Sequence, residues 1–471
     1  MLKVISDARV LEALSAAFPK PPNSARRALE KYCNTLSNAI AKSLLYDLNP
    51  YRNIPNLYSV SLHNLANTGG QIGANKIRLH SWLEQNKLSL IDVVGLGSNI
   101  AGRNSLVKLS SYTSIDDSDL LQNARNLSNT HIDELIDSLV DLDNPIVSDF
   151  ISIYSALPKT KLKDYDLCAI DTASLKNFVK DIIDNKIKLS KAKEDNLFRC
   201  SLYILRIANR LNGYLPQQKI ISEFGRTYYQ GISVQNVHKD LRKSMLGNAW
   251  EYDVKTSVFT WKFGFAKEWI ALNQKDKTID TCFPATALYI EGKDDFIAHA
   301  STSIYGQAAS SNYFNIVKQA LTAIGFGARG NASWWIDKYG IQHQSALKEI
   351  FNHADDCNKF LNTEIVKQFI SEQKLLDEFI CNKFILKSNS KLRINKSKVL
   401  AFLYQQAETI IMDSVRKDLA KLKIQVLANI HDAIVVRQRI PNNKLIKIQN
   451  KIRKVTGLEY WTLGETQYFA H

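Results

Sequence analysis

Apolar residues three and four positions apart run through HIDELIDSLVDL (131–142), SLKNFVKDIIDNKIKL (174–189) and LFRCSLYILRIANRL (197–211). That spacing gives a helix one inward face, so the stretch from Asp116 to about Asn212 is predicted to be helical. Residues 1 to about 50 also read as helices, ending near Asn49-Pro50, whereas Ile54 to Ser111 is richer in Gly, Asn and Ser and predicts loops and short strands. Past Pro216 the text alternates: strand-like EYDVKTSVFTW, helical NYFNIVKQALTAIGF, a long helix through FLYQQAETIIMDSVRKDLAKL, then IQVLANIHDAIVV. The last segment is two β-rich runs meeting at Asn429-Ile430-His431-Asp432, which predicts a hairpin whose turn carries an imidazole and a carboxylate. The expected class is mixed α/β (α+β), with the main boundary near Pro216 and no internal repeat.

Composition narrows the function. The chain has 471 residues, 45% apolar and 23% charged, enough for two to four domains and typical of a soluble protein. No apolar run reaches bilayer-spanning length, and the opening MLKVISDARVLEALSAAF carries Asp7 and Glu12 where a secretory signal would be uninterruptedly apolar. The six cysteines are scattered without C-x-x-C pairs, which argues against a disulfide framework or a zinc site, and a cytoplasmic setting is expected. Lys and Arg exceed Asp and Glu by 61 to 46, a net charge of +15, and such a surplus attracts a polyanion. The run NKIKLSKAK reads equally as a solvated helix end or a nucleic-acid contact. GLGSNIAG could cradle a phosphate, but a lone glycine-rich loop of irregular spacing reads first as a turn cluster.

Two carboxylates stand out. Asp253 closes the strand-like run around Ala249, Trp250 and Tyr252, and Asp432 sits at the predicted hairpin turn. Singly, each reads as an end cap or an ordinary turn residue. Their context is an ordered set of five blocks: GRTYYQGISVQNVHKDLR, EYDVKTSV, NIVKQALTAIGFG, YQQAETIIMDSV and NIHDAIVV. From about residue 225 to the C-terminus this set resembles the family A DNA polymerases, the bacterial DNA polymerase I group, together with the related single-subunit phage and mitochondrial RNA polymerases.

The resemblance implies a right-hand polymerase fold: an N-terminal accessory region (1–115), a helical thumb-like region (116–215), palm (216–310 and 401–471) and fingers (311–400). It implies a nucleotidyltransferase, with DNA-directed DNA synthesis favoured. Two Mg²⁺ ions, or Mn²⁺, would be held by Asp253, Asp432 and the Val254 carbonyl. Hard cations of this kind take oxygen ligands and need few carboxylates. Lys318 would neutralise the triphosphate. Phe326, eight residues on and so on the same helix side, would stack near the nascent pair. Gln405, His431 and Val258 would complete the substrate pocket. Arg226, Gln235, Asn236 and Arg242 would meet the nucleic acid. The partners implied are a DNA primer-template and deoxynucleoside triphosphates, with ribonucleotides as alternatives, acting on a monomer without a membrane. The short tail Tyr468-Phe469-Ala470-His471 resembles the buried tails of these enzymes.

Departures from the family pattern bear on specificity. Phe314 stands where a basic residue precedes the fingers lysine, leaving Lys318 or another cation such as Arg329. Ala433 follows the hairpin Asp where DNA polymerases carry an acid. Val258 or Ser257 matches the Glu that excludes a 2′-hydroxyl, and Phe326 lacks the hydroxyl that RNA-polymerising relatives use. A single-subunit RNA polymerase or primase-like enzyme, and an inactive nucleic-acid binder, therefore stand as rivals.

Overall fold

A computed structural model of the chain describes residues 2–45, 56–97, 104–117, 120–127, 131–140, 142, 144–156, 164–187, 189, 191–221, 226–306, 310–328, 334–336, 342–351, 353–385, 396–457 and 459–471. It is a mixed α/β protein, 61% helical, with small antiparallel sheets. The chain divides into two compact units: Met1–Ile220 with Thr227–Ala249 and Tyr468–His471, and Ile221–Arg226 with Trp250–Gln467.

In the first unit the N-terminus departs from the helical expectation. Leu2–Ser6 is a strand paired antiparallel with Thr113–Asp117, and Val4 is buried while Lys3 and Ile5 face out. That two-residue alternation is strand text, which the amphipathic reading of the first eighteen residues overlooked. Helix Ser24–Leu45 follows, burying Tyr32, Leu36 and Ile40 among strands Tyr58–Val60, Ile91–Gly95 and Ser105–Leu109. Helices Leu120–Asn126 through Lys191–Arg210 match the helical expectation, except that Tyr165–Ala169 is a strand paired with Tyr214–Ile221. The C-terminal tail is held chiefly by hydrogen bonds. Only Tyr468 of its four residues is buried. The His471 amide donates to Ser174 Oγ (2.9 Å) and the Ala470 amide to Asn248 Oδ1 (3.0 Å).

The second unit is built on a four-stranded sheet, in spatial order Val426–Ile430, Ala433–Val436, Ala249–Val254, Leu463–Tyr468. Tyr252 and Val254 of one strand and Ile434 and Val436 of the next point into a core shared with helices Lys293–Tyr305, Ser311–Gly325, Glu364–Ile385 and Lys396–Lys421. The last of these buries Tyr404, Ile411, Met412, Val415 and Leu419, a stripe at helical spacing. Glu408 lies within that stripe and is 1% exposed. Tyr252 pins the sheet edge, donating its hydroxyl to Glu465 Oε2 (2.7 Å) and accepting from the Ile440 amide (2.8 Å).

Candidate active site

The hairpin and the strand beside it bring the two carboxylates together. Val426–Ile430 and Ala433–Val436 pair antiparallel across a turn formed by His431 and Asp432. The second of these strands pairs with Ala249–Val254 in a register that sets Asp253 opposite Ala433. The Val254 amide donates to the Asp432 carbonyl (3.0 Å), which locks the turn to the end of the neighbouring strand. Asp253, near the end of its strand, and Asp432, in the turn just before the paired strand, thus come from neighbouring backbone positions.

The backbone around the pair is held in uncommon conformations. His431 has φ 38° and Thr256 has φ 48°, both in the left-handed region that non-glycine residues seldom enter. The first puts Asp432 at the apex of a tight turn. The second turns the Asp253 strand directly into helix Ser257–Phe263. Gly464, on the strand at the sheet edge, makes room for Asp253: a Cβ there would stand 2.6 Å from Asp253 Oδ1.

Asp432 is a desolvated acid. Burial pushes its carboxyl above the ordinary range, and the charge of Asp253 adds to this. Its own backbone N–H, the Arg226 cation and the Ser257 hydroxyl, which donates to Oδ2 at 3.3 Å, oppose the shift. Behind Ser257 lies Tyr404, whose hydroxyl donates to Ser257 Oγ at 2.8 Å. Arg226 grips Glu408 with two parallel bonds, Nε to Oε1 at 2.8 Å and a terminal nitrogen to Oε2 at 2.5 Å. Burial raises the Glu408 carboxyl and Arg226 counters it.

Among the described residues no group of three or more His, Cys, Asp or Glu side chains could hold a metal ion, so the site offers two carboxylates. The donor set nevertheless fits a hard divalent cation. Mg²⁺ typically borrows one or two carboxylates and keeps waters, and two adjacent acids, one desolvated, have the charge that such a cation would balance.

On the helix Ser311–Gly325, Lys318 is exposed and Phe326, just past its end, is 57% exposed, its ring edge-on to Tyr404 at 5.8 Å. A third cation escaped the reading by motif. Lys293, at the start of helix Lys293–Tyr305, lies close enough to both Lys318 and Asp253 to feel their charges. Burial lowers its pKa first, then Lys318, while Asp294 and Asp253 raise it. The only sequence sign was a lysine after Glu291-Gly292. Arg329, the other cation considered, lies outside the described residues.

Val258 is buried, and a Cβ on Gly325, the residue before Phe326, would come within 3.1 Å of its Cγ1, so the side chain packs against the end of the helix that carries Lys318. Ser257, one position earlier, points to Asp432 instead. The remaining expected nucleic-acid contacts have partners within the chain. Gln235 donates to the Thr227 carbonyl (3.2 Å), and Asn236 to the carbonyls of Tyr229 (3.1 Å) and Gly231 (3.0 Å). Arg242 donates to the carbonyls of Val234 (2.6 Å) and Gln235 (3.3 Å). These groups hold their own loop together, and Arg226 is committed to Glu408. Gln405 carries a buried Oε1 without a hydrogen-bond partner among the described residues. GLGSNIAG falls mostly outside the described residues.

No protein-family model matches the chain, and no curated protein matches it. Among solved structures it is similar to the POL domain of Pol1 from M. smegmatis, solved in complex with DNA primer-template and dNTP. The identity is 10% and the TM-score 0.38, over 73% of this chain and 72% of that one. No helix among the described residues is long and apolar enough to cross a membrane.

Proposed function

We propose that the chain is a template-directed nucleic-acid polymerase, a nucleotidyltransferase that extends a 3′-hydroxyl, with DNA as template and product. The observation that carries this reading is the placement of Asp253 and Asp432 side by side, one at a strand end and one at the adjoining hairpin turn. The five-block order supports it. In this reading the second unit supplies palm and fingers.

Two divalent ions held by Asp253, Asp432 and the Val254 carbonyl would supply activation of the attacking hydroxyl and charge stabilisation of the leaving pyrophosphate. The chain's own residues do the rest. Asp253 and Asp432 present carboxylate oxygens from a rigid sheet, which is the support that precise positioning requires. Lys318, with Lys293 near it, offers cations to the polyphosphate. Phe326 gives a base an exposed aromatic face. With Val258 packed in the core, the sugar pocket carries no acid at the position of the family's excluding Glu, and Ser257 takes the site-facing position. Preference for deoxynucleotides should therefore be weak.

Primer extension with dNTPs and NTPs offered separately, on DNA and RNA templates, tests the reading. Incorporation of dNTPs on DNA with modest discrimination against NTPs supports it. Exclusive use of NTPs would make the chain an RNA polymerase or a primase-like enzyme. Tight nucleic-acid binding with no incorporation under any combination would make it an inactive binder.

A further inference from the structure

Tyr404 and Glu408 lie in the YQQAETIIMDSV block but were given no role above, and both are nearly inaccessible to water, at 3% and 1%. They lie one turn apart on helix Lys396–Lys421, and so share one face. The Tyr404 hydroxyl donates its one proton to Ser257 Oγ, 2.8 Å away, and lies close enough to the Glu408 carboxylate to feel its charge. Ser257 in turn donates to Asp432 Oδ2. At the far end Glu408 is clamped by two bonds from Arg226. A hydrogen-bonded chain therefore runs from Tyr404 through Ser257 to Asp432, with the Arg226–Glu408 pair beside its start, inside a core otherwise lined by Trp261, Ile411, Met412 and Val415.

Such a chain is costly to bury. Phe, Leu and Ala would fill the same space without the desolvation penalty of a hydroxyl, an acid and a guanidinium. Packing does not require these groups, and every link leads toward the carboxylate at the hairpin apex. The Asp432 backbone is tied to the next strand through the Val254 amide, but among the described residues its carboxylate is bonded, besides Ser257, to its own backbone N–H alone.

We propose that Tyr404, acting through Ser257, is a positioning residue that fixes the orientation of the Asp432 carboxylate for cation capture. This rests on the proposed polymerase reading, because it presumes that Asp432 holds a divalent ion. Tyr404 does not touch the reacting atoms. It sets the direction of the Ser257 hydroxyl, which sets the carboxylate plane. Outer partners of this kind are commonly worth ten- to a hundredfold in metal affinity or activity.

The test is direct Mn²⁺ binding to the full chain, followed by electron paramagnetic resonance of the free ion, alongside steady-state incorporation. Tyr404→Phe keeps the ring and its edge contacts with Trp261 and Phe326, removing the hydroxyl alone. It should weaken Mn²⁺ binding about tenfold and lower kcat similarly, with KM for the nucleotide within about twofold and the thermal midpoint near wild type. Ser257→Ala should do the same, and the double variant should be no worse than Ser257→Ala, since both act through one chain. Ser257→Thr, which retains the hydroxyl, should recover most of the affinity. Wild-type Mn²⁺ affinity in Tyr404→Phe, or strictly additive losses in the double variant, would overturn the positioning role. Asp432→Asn separates the two levels. If it loses Mn²⁺ binding while Tyr404→Phe does not, only the positioning role fails. If Asp432→Asn binds Mn²⁺ and incorporates nucleotides like wild type, the proposed function fails with it.

Discussion

Gly464→Ala probes the carboxylate pair without touching either acid. The new Cβ would lie 2.6 Å from Asp253 Oδ1 and 3.2 Å from both Cγ and Cε of Lys255. Relaxing the closest contact to ordinary van der Waals separation requires the oxygen to move by roughly 0.8 Å. Backbone movement is resisted, because the Lys255 amide donates to the Thr462 carbonyl at 3.0 Å and Asp253 is in register with Ala433. The carboxylate must therefore swing, and a misplacement on the order of 1 Å costs about a hundredfold in a reaction that depends on alignment. We expect kcat to fall between about ten- and a hundredfold. Stability should change by less than about 1 kcal/mol, because the loss of unfolded-chain entropy partly offsets the clash. Gly325→Ala is the contrast. There the Cβ would meet the Phe259 ring at 2.4 Å, a buried core group with nowhere to swing, so the cost should appear as about 1–3 kcal/mol of stability. Thermal unfolding and single-turnover primer extension read the two effects separately. Wild-type kcat and wild-type metal dependence in the Gly464→Ala variant would refute the claim that the Asp253 carboxylate is held at the reacting centre.

The same geometry yields three further expectations. Lys293→Met should raise the KM for nucleotide by about tenfold, as expected for one lost charge-assisted contact to phosphate, with smaller effects on primer binding; an unchanged KM would remove Lys293 from the polyphosphate site. Asp377→Asn should destabilise the chain by about 3 kcal/mol in denaturant titration, because it strands the Lys262 ammonium, 1% exposed and 2.5 Å from that carboxylate; a loss below about 1 kcal/mol would mean that Lys262 is neutral in the fold. Asp432→Asn should raise the thermal midpoint at neutral pH, since burial and Asp253 push the Asp432 carboxyl above its ordinary 3.8 and its ionised form therefore costs stability. That cost appears as pH rises through the raised value, so the advantage of the Asn variant should vanish as pH falls toward 4. A midpoint lower than wild type at neutral pH would contradict it.

The strand around Asp253 and the hairpin at Asp432 were legible because apolar strand-like runs flank a carboxylate in both places. The turn after Asp253 was not legible: Thr256 takes a left-handed φ and the strand becomes helix Ser257–Phe263 at once, which brings the Ser257 hydroxyl to Asp432. Tyr404 and Glu408 were hidden inside a helical stripe, where periodicity marks a buried face but not which member is polar by design. Lys293 is near Asp253 only through the fold, and no spacing rule links them. The local bonds of Gln235, Asn236 and Arg242 to the carbonyls of Thr227, Tyr229 and Val234 were not legible either, because no spacing in the text shows which carbonyls a loop turns toward its own side chains. The N-terminal strand was missed because its partner, Thr113–Asp117, lies more than a hundred residues away.

The central claim, that Asp253 and Asp432 together carry nucleotide transfer, is tested most directly by single-turnover incorporation on a DNA primer-template with Asp253→Asn and Asp432→Asn, with DNA affinity measured in parallel. Both variants should bind DNA within about threefold of wild type and lose at least about a thousandfold in rate, in Mg²⁺ and in Mn²⁺, the scale expected when charge stabilisation at the reacting phosphate is removed. If either variant extends the primer at the wild-type rate, the two carboxylates are not the catalytic pair.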